Sequence, residues 1–574
     1  MSGRRDDSSH QVFYTLGRRE HPTRQVYIGD VEPRTGPAIP ADSPETHGVF
    51  ASVGRGEMSR RTYRTIPLVP WLLAIFFAVW AMRGATATDI TLNDQARHAL
   101  NGAALLDIVR EGGLSRPVAW LRDYFAHYPA LSMPYHPPLF PAVEALFYAA
   151  FGVSPVSARL AVAGFVAGAV LLFFHQVRSL NKNSYVAAAC VLIFFSLPLT
   201  QMLSADVMLE LPALFWVLAS TVFIASARRE WRVRDAILAG SLAGAAVWTK
   251  QTIFVGLIPL LLLASRRFTL LRSRNVLIFF AIFGLLLAGY MMLGRAADFE
   301  GISKNWAPVS IPDRVIRGIH YYGLVIYRQF GLVAIGGIIA AAVLFRTTLR
   351  NDVARDTCIF YLSWLAATFG VLLAVPAYDT RYLWFAYPAI VAVAATALHS
   401  VLAQYSDLRK ANLAVLAIAT VFCVWNLRTE PVRVTGPAAA AALTGTGGRI
   451  LYCGTSNGSF IFAMRMLDER RTTHVIRADK VVSPLRELGL APFVRKFGIS
   501  AIVAEANLGS SSCDDLRQRA ASLNGKPESV PIRSNFATLD GTLEIYRVPV
   551  ATPPAKGSLD LPIQSTGQAI RAEF

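Results

Sequence analysis

The chain has 574 residues, of which 53% are hydrophobic and 16% charged, with a mean hydropathy of +0.40. Its many long apolar runs cannot all be hidden in one water-soluble core, so a soluble protein is excluded and a polytopic α-helical membrane protein is left. A formal net charge of +18 would suit nucleic acid, but the basic residues gather in short turns between apolar runs. That pattern orients membrane proteins, and nucleic-acid binding is set aside.

Residues 1–64 are polar and of mixed charge, carry scattered Gly and Pro without an apolar period, and read as a disordered cytoplasmic segment. The first apolar run, Ile66–Met82, lies too deep for a cleaved signal peptide. Arg60, Arg61 and Arg64 before it place its N-terminal side in the cytoplasm. Residues 83–154 then form a first outer loop. It opens with TATDITLNDQARHALNGAALLDIVREGG, in which Ala96, Leu100, Ala103, Ala104 and Val109 recur near helical spacing until Gly112 and Gly113. An amphipathic helix just outside the membrane is expected there.

Next comes YHPPLFP (Tyr135–Pro141), which leads into the apolar run Leu139–Gly152. The run is shorter than the roughly 20 residues a span requires. Counting it as a span would also put every later basic loop outside, so an interfacial helix is expected. Pro137 and Pro138 favour an extended approach, and a proline in the first helical turn is tolerated.

Further spans are expected near 156–177, 184–200, 207–227, 235–249, 252–265, 275–295, 329–346, 357–376, 382–403 and 411–428, eleven with the first. The basic turns, among them RREWRVR and RRFTLLRSR, then all fall on the cytoplasmic side, and LTQMLSAD, TKQ and AYDTRY on the other. An odd number of spans puts residues 429–552 outside. RILYCG, ISAIVAE and LEIYRVPV read there as strands between helical stretches, a small α/β domain. Residues 553–574 read as a disordered tail. GSLAGAA (Gly240–Ala246) is most simply a site of close helix packing. Cys190, Cys358 and Cys423 lie in apolar runs, whereas Cys453 and Cys513 could pair if the C-terminal region is extracytoplasmic.

Ionisable residues gather at the outer ends of these elements. Asp94 begins the loop helix, five residues after Asp89, and is either a helix cap or a general base aimed at a hydroxyl. Asp206 and Glu210, four residues apart, share a helix face at another outer end. Lys250 and Arg381 sit at two more, where such side chains either snorkel to headgroups or bind a lipid phosphate.

The order NDQARHALNGAALL, YHPPLFPAVEALFYAAFGVSPVSARL, DVMLELPALFWVLAS, LAGAAVWTKQ and RYLWFAYP resembles the GT-C glycosyltransferases of the dolichyl-phosphate-mannose protein mannosyltransferase type. The bacterial relatives that include the lipid A aminoarabinose transferase are the nearest group. The resemblance runs from about Ile66 to Ala403 and implies a GT-C transmembrane catalytic domain over residues 65–428. It implies that Asp94, followed by Gln95 where Glu is common, is the catalytic base, and that Asp206 is the second acidic position, with Glu210 a weaker match. His136, in the (H/K)PPL element, Lys250, Arg381 and Tyr135 would lie near the donor phosphate. Asp89 and Tyr382 are possible additions.

The function so implied is transfer of a sugar from a polyprenyl-phosphate carrier to an acceptor hydroxyl on the extracytoplasmic face of a bacterial plasma membrane, with inversion. The acceptor would be lipid, polysaccharide or protein. No nucleotide site is needed, and Asp94 with Asp206 is a thin set for a hard cation, so no metal or other cofactor is expected. The competing readings are a transporter or flippase of a lipid-linked envelope precursor and a noncatalytic relative. Transporters place ionisable residues near mid-membrane, whereas these lie at span ends.

Overall fold

The computed structural model describes residues 68–549, 557–562 and 569–573, apart from 91–92, 134, 227–230, 251–258, 260–273, 297–309, 344–350, 375–377, 428–429, 431, 507–510 and 536–539. The N-terminal segment 1–64 and most of the expected span 252–265 therefore lie outside the described residues.

Helix α1 (Leu68–Ala81) is apolar but only 14 residues long. It is followed by α2 (Asn93–Arg110), α3 (Pro117–His127) and α4 (Leu139–Phe151). Helix α5 (Pro155–Asn181) has 27 residues, about 40 Å at 1.5 Å per residue, enough to cross a bilayer. Ser154 caps it by accepting from Ser157 N at 3.1 Å, and Pro155 occupies its first turn. Helices α6 (Ser184–Ser196) and α7 (Pro198–Ala205) meet at 71°, because Pro198 cannot continue the ladder of α6. Then come α8 (Glu210–Ser226), α9 (Val233–Thr249), α10 (Arg274–Ala296), α11 (Ile311–Val343, broken at Gly331), α12 (Asp352–Ala374), α13 (Thr380–Leu383), α14 (Tyr387–Tyr405) and α15 (Leu408–Asn426).

Eleven spans were expected. Among the described residues, five helical segments are long and apolar enough to cross a membrane, or six if the bent α6–α7 pair is one span. Three expected spans, α1, α8 and α9, form helices of 14, 17 and 17 residues, each shorter than the hydrocarbon thickness demands when straight. Helix α4 has 13 residues, in keeping with a helix that does not cross. The GSLAGAA stretch packs closely, as its composition suggests: a Cβ on Gly244 would run into the side chain of Leu286 of α10.

The loop helix α2 differs from expectation. It is not an amphipathic surface helix, because Gln95, Ala96, His98, Ala99, Leu100, Asn101, Ala103, Ala104, Asp107 and Ile108 are all buried. One side packs on α4, where Gly102 is required: a Cβ there would meet Glu144 Cβ at 2.7 Å. The other side is covered by the C-terminal region, with Arg465 donating to Asp107 in a bidentate pair. A surface stripe was expected because only the covering segments, distant in sequence, show that the remaining faces are occupied.

That C-terminal region holds β1 (Val434–Thr435), α16 (Pro437–Thr444), β2 (Arg449–Cys453), α17 (Asn457–Leu467), β3 (His474–Arg477), α18 (Val482–Leu488), α19 (Leu490–Phe497), β4 (Ile499–Ala506), α20 (Ser511–Asn524), β5 (Glu528–Ser534) and β6 (Gly541–Arg547). The six strands form one sheet in the order β1-β5-β6-β4-β2-β3, parallel where β2 pairs β3 and β4 and antiparallel elsewhere. At the end of β4, Glu505 accepts from Thr455 N, Ser456 N and Tyr452 Oη at 2.6, 2.6 and 2.9 Å, fixing the turn from which α17 departs toward α2. Cys453 and Cys513 form a disulfide between β2 and α20. The tail, expected to be disordered, carries an antiparallel pair, β7 (Ser558–Pro562) with β8 (Ala569–Glu573). Leu559, Leu561, Ile570 and Ala572 alternate with exposed residues there, which is the strand period.

Candidate functional site

Helix α2 presents Asp94 in its first turn, and Arg381 meets it from α13. Asp94 Oδ2 accepts from Arg381 Nη1 at 3.3 Å, and Arg97 Nη1 lies 4.0 Å from its Oδ1. Of the two roles left open for Asp94, the observed contacts are with these guanidiniums. Burial works to raise its carboxyl, but Arg381, Arg97 and His136 outweigh burial and hold it below the ordinary value. Asp94 is thus an ionised carboxylate at neutral pH with an exposed side, since its side chain keeps 44% of its accessible area.

Arg381 is itself oriented. Asp379 caps α13 by accepting from Arg381 N at 2.8 Å, and its carboxylate accepts from Arg381 Nε at 2.9 Å and Nη2 at 2.8 Å. Arg381 Nε also lies 3.9 Å from Glu210 Oε1. Glu210 is fully buried at the start of α8 and accepts from Lys250 Nζ at 2.9 Å. Lys250 follows the last residue of α9 and lies 5.7 Å from the centroid of the Tyr382 ring. Four segments distant in sequence therefore bring Asp94, Arg381, Glu210, Lys250 and Tyr382 into one cluster.

The YHPPLFP stretch reaches the same place. Pro138 precedes α4 in the αR region and Pro141 lies in the first turn, where no intrahelical donor is needed. His136 N donates to Ser132 O at 3.1 Å, and the His136 ring stands edge-on to Tyr135 at 4.7 Å and to His98 at 4.5 Å. His98 lies one turn after Asp94 and is buried. Burial first, and His136, Lys250 and Arg381 after it, drive its imidazole well below the ordinary value, so it is neutral.

Two expected site residues lie elsewhere. Asp89 tethers the C-terminal region: its Oδ2 accepts from Ala438 N at 3.0 Å in the first turn of α16, and its backbone N donates to Val434 O at 3.0 Å. Asp206 follows α7 and is buried, linked to the cluster through Gln95, the neighbour of Asp94, and facing Arg159 and Arg433. A carboxylate so enclosed cannot approach a hydroxyl at the surface as Asp94 can. The residues that sequence reasoning missed are Arg97, His98 and Asp379. His98 was legible as the residue one turn beyond Asp94, and Asp379 as an aspartate two residues before an arginine at a span start.

Burial pushes the Asp206 carboxyl up to about 7, against the lowering effect of Arg159, Arg433 and the Gln95 hydrogen bond. Between its ordinary value of 3.8 and this folded value, the unfolded chain loses a proton that the folded chain keeps. Stability is therefore fully present below pH 3.8, falls as pH rises to about 7, and levels off above it. Asp206→Asn should flatten that slope in unfolding midpoints recorded across the interval. An unchanged slope would show that another group causes it.

The acids of the cluster are each met by cations, and no group of three metal-ligating side chains occurs among the described residues. Chemically, the arrangement offers an ionised carboxylate beside two fixed cations and two imidazoles. It can accept a proton at Asp94 and hold an anion at Lys250 and Arg381.

Residues 135–291 match the family model of dolichyl-phosphate-mannose-protein mannosyltransferase. No curated protein matches the chain. Among solved structures, ArnT from Cupriavidus metallidurans bound to undecaprenyl phosphate is similar at a TM-score of 0.51 and 16% identity, covering 84% of this chain and 98% of that one. The apo form of the same protein gives 0.52 and 15% over the same shares. The fold is thus the one seen in ArnT, and Tyr135, His136, Asp206, Glu210 and Lys250 lie within the segment that matches the mannosyltransferase model.

Proposed function

We propose that this protein is a membrane glycosyltransferase that moves a sugar from a polyprenyl-phosphate carrier to an acceptor hydroxyl. The observation that carries this reading is the juxtaposition of Asp94 with Arg381, Glu210 and Lys250 on a fold shared with a protein crystallised with undecaprenyl phosphate. In the reaction, the acceptor oxygen attacks the anomeric carbon. The bond from that carbon to the phosphate oxygen breaks, the carrier phosphate leaves with the electron pair, and the hydroxyl proton passes to Asp94. A single displacement inverts the anomeric centre. Lys250 and Arg381 hold the phosphate as its charge grows, with Tyr135 and His136 along its flank, and such preorganised charge lowers the barrier.

Each fixed cation should count. A hydrogen bond to a charged group contributes about 1.5–3 kcal/mol, so Lys250→Gln should weaken donor binding roughly 10- to 150-fold. Saturation of transfer with undecaprenyl-phosphate-linked sugar would show it as a raised KM. Because every acid of the cluster faces a cation, this reading uses no metal ion and no other cofactor.

The active face is the extracytoplasmic one. The Cys453–Cys513 disulfide supports this placement, since such bonds persist in oxidising compartments. The decisive experiment supplies purified protein with undecaprenyl-phosphate-linked sugars and cell-envelope acceptors and follows transfer of label. Absence of transfer to any envelope fraction, with the donor demonstrably bound, would reject the catalytic reading. A reporter fused after Leu427 that scored as cytoplasmic would reject the orientation.

A further inference from the structure

The corner between α2 and α3 turns apolar side chains outward although it is tightly built. The end of α2, the one-turn helix Gly113–Ser115 and α3 pack on one another. Trp120 Nε1 donates to Glu111 Oε2 at 2.8 Å across the corner, and a Cβ on Gly113 would run into the Trp120 ring. The inner side is thus filled. On the outer side Val109, Leu114 and Val118 keep 62, 64 and 63% of their area exposed. Branched apolar side chains left in water at one corner, outside any spanning helix, mark a surface that something covers.

The charges of the corner say what covers it. Its two acids are already taken, because Arg471 of the C-terminal region donates to Glu111 Oε1 at 2.8 Å and to Asp123 Oδ2 at 3.0 Å. Arg110, Arg116 and Arg122 are exposed and make no ion pair among the described residues. Apolar side chains ringed by unpaired guanidiniums fit a phospholipid surface, where the former enter the acyl boundary and the latter meet phosphates. A bilayer is at hand. Helix α4 packs along α2, with Tyr148 Oη donating to Ala99 O at 3.2 Å, and turns Leu146 and Phe151 outward, 70 and 63% exposed, while its carboxyl, Glu144, is buried. The element beside α2 thus has an outer face suited to lipid.

We propose that residues 109–122 form a foot set into the outer headgroup layer of the membrane that this chain spans, with Val109, Leu114 and Val118 among the acyl chains and the three arginines on phospholipid phosphates, preferring anionic lipid. The foot fixes the height of α2. Asp94 begins the same 18-residue helix, about 27 Å long at 1.5 Å per residue. Anchoring its far end keeps the carboxylate level with the headgroups. Only the spanning helices are needed for this; the transfer chemistry is not.

The test introduces a cysteine into the corner of the full chain, Ser115→Cys. Cys190, Cys358 and Cys423 are buried and Cys453 and Cys513 are paired, so an environment-sensitive thiol fluorophore marks the new site. The labelled protein is reconstituted in vesicles of phosphatidylcholine, with and without phosphatidylglycerol. It is then quenched from the bilayer by a phospholipid carrying a nitroxide near its headgroup, and from water by iodide. The label should be quenched by the lipid and shielded from iodide, more strongly with phosphatidylglycerol, whereas the same label at Ser522→Cys, exposed on α20, should show the reverse. Leu114→Asp should lower lipid quenching about twofold with the unfolding midpoint close to wild type. Replacing Arg110, Arg116 and Arg122 together by Gln should remove the phosphatidylglycerol effect; an effect that survives overturns the assignment of the arginines. Iodide access at Ser115→Cys equal to that at Ser522→Cys in both vesicles overturns the proposal. Such access in vesicles, with shielding only in native envelope membranes, would give the surface to a protein partner and overturns it equally.

Discussion

Asp94→Asn is expected to lower turnover by about 10²- to 10⁴-fold, the usual worth of a positioned general base, while donor binding stays close to wild type. Asparagine preserves the shape and can still meet Arg381 and Arg97 through its oxygen, so a folding defect is not expected. What is lost is the ability to take the hydroxyl proton. Because the two guanidiniums hold the carboxyl below its ordinary value, Asp94 is a weak but fully ionised base. The acid limb of kcat/KM should accordingly fall below the ordinary carboxylate range, and activity should be retained down to mildly acidic pH. Turnover of Asp94→Asn within a few-fold of wild type would remove the residue from the mechanism.

The largest expected effect on stability lies at the contact between α2 and α17. Arg465 and Asp107 form a bidentate pair in which each side chain is 4% exposed, and Tyr124 Oη adds a hydrogen bond to Asp107 at 3.1 Å. Removing one partner leaves the other charge buried and uncompensated, at a cost of about 3–5 kcal/mol. Arg465→Met or Asp107→Asn should each lower the unfolding midpoint markedly. The double variant should be less destabilised than the sum of the two, since neither charge is then stranded. Additive losses would mean that the two residues act independently. Arg471, which pairs with Glu111 at the rim of the same contact, is more exposed and should matter far less.

Much of the helical part was legible because apolar runs and basic turns obey solvent physics one segment at a time. Three of the strands, β2, β4 and β6, were legible from their short apolar runs, whereas β3 has four residues and β5 carries Pro531, and neither announces itself. Asp94, Glu210, Lys250 and Arg381 could be gathered only by supposing one topology for the whole chain. The burial of α2 was hidden for a different reason. Its partners Glu144 and Arg465 are distant in sequence, and a helix covered on several sides shows no single stripe. Asp206 follows α7 beyond the bend at Pro198 and is enclosed, a burial that its position at an apolar helix end did not reveal.

The enclosure of α2 bears on how such a protein could be rebuilt. The helix that carries Asp94 belongs in chain order to the membrane part, yet Asp107 makes it equally a member of the sheet-bearing part. An exchange of C-terminal regions between relatives, cut at the end of α15, would separate Asp107 from Arg465 and uncover the helix that carries Asp94. A working chimera would need two crossovers, so that the stretch from Asp89 to the end of α3 travels with its covering sheet. The interchangeable unit is therefore discontinuous in sequence.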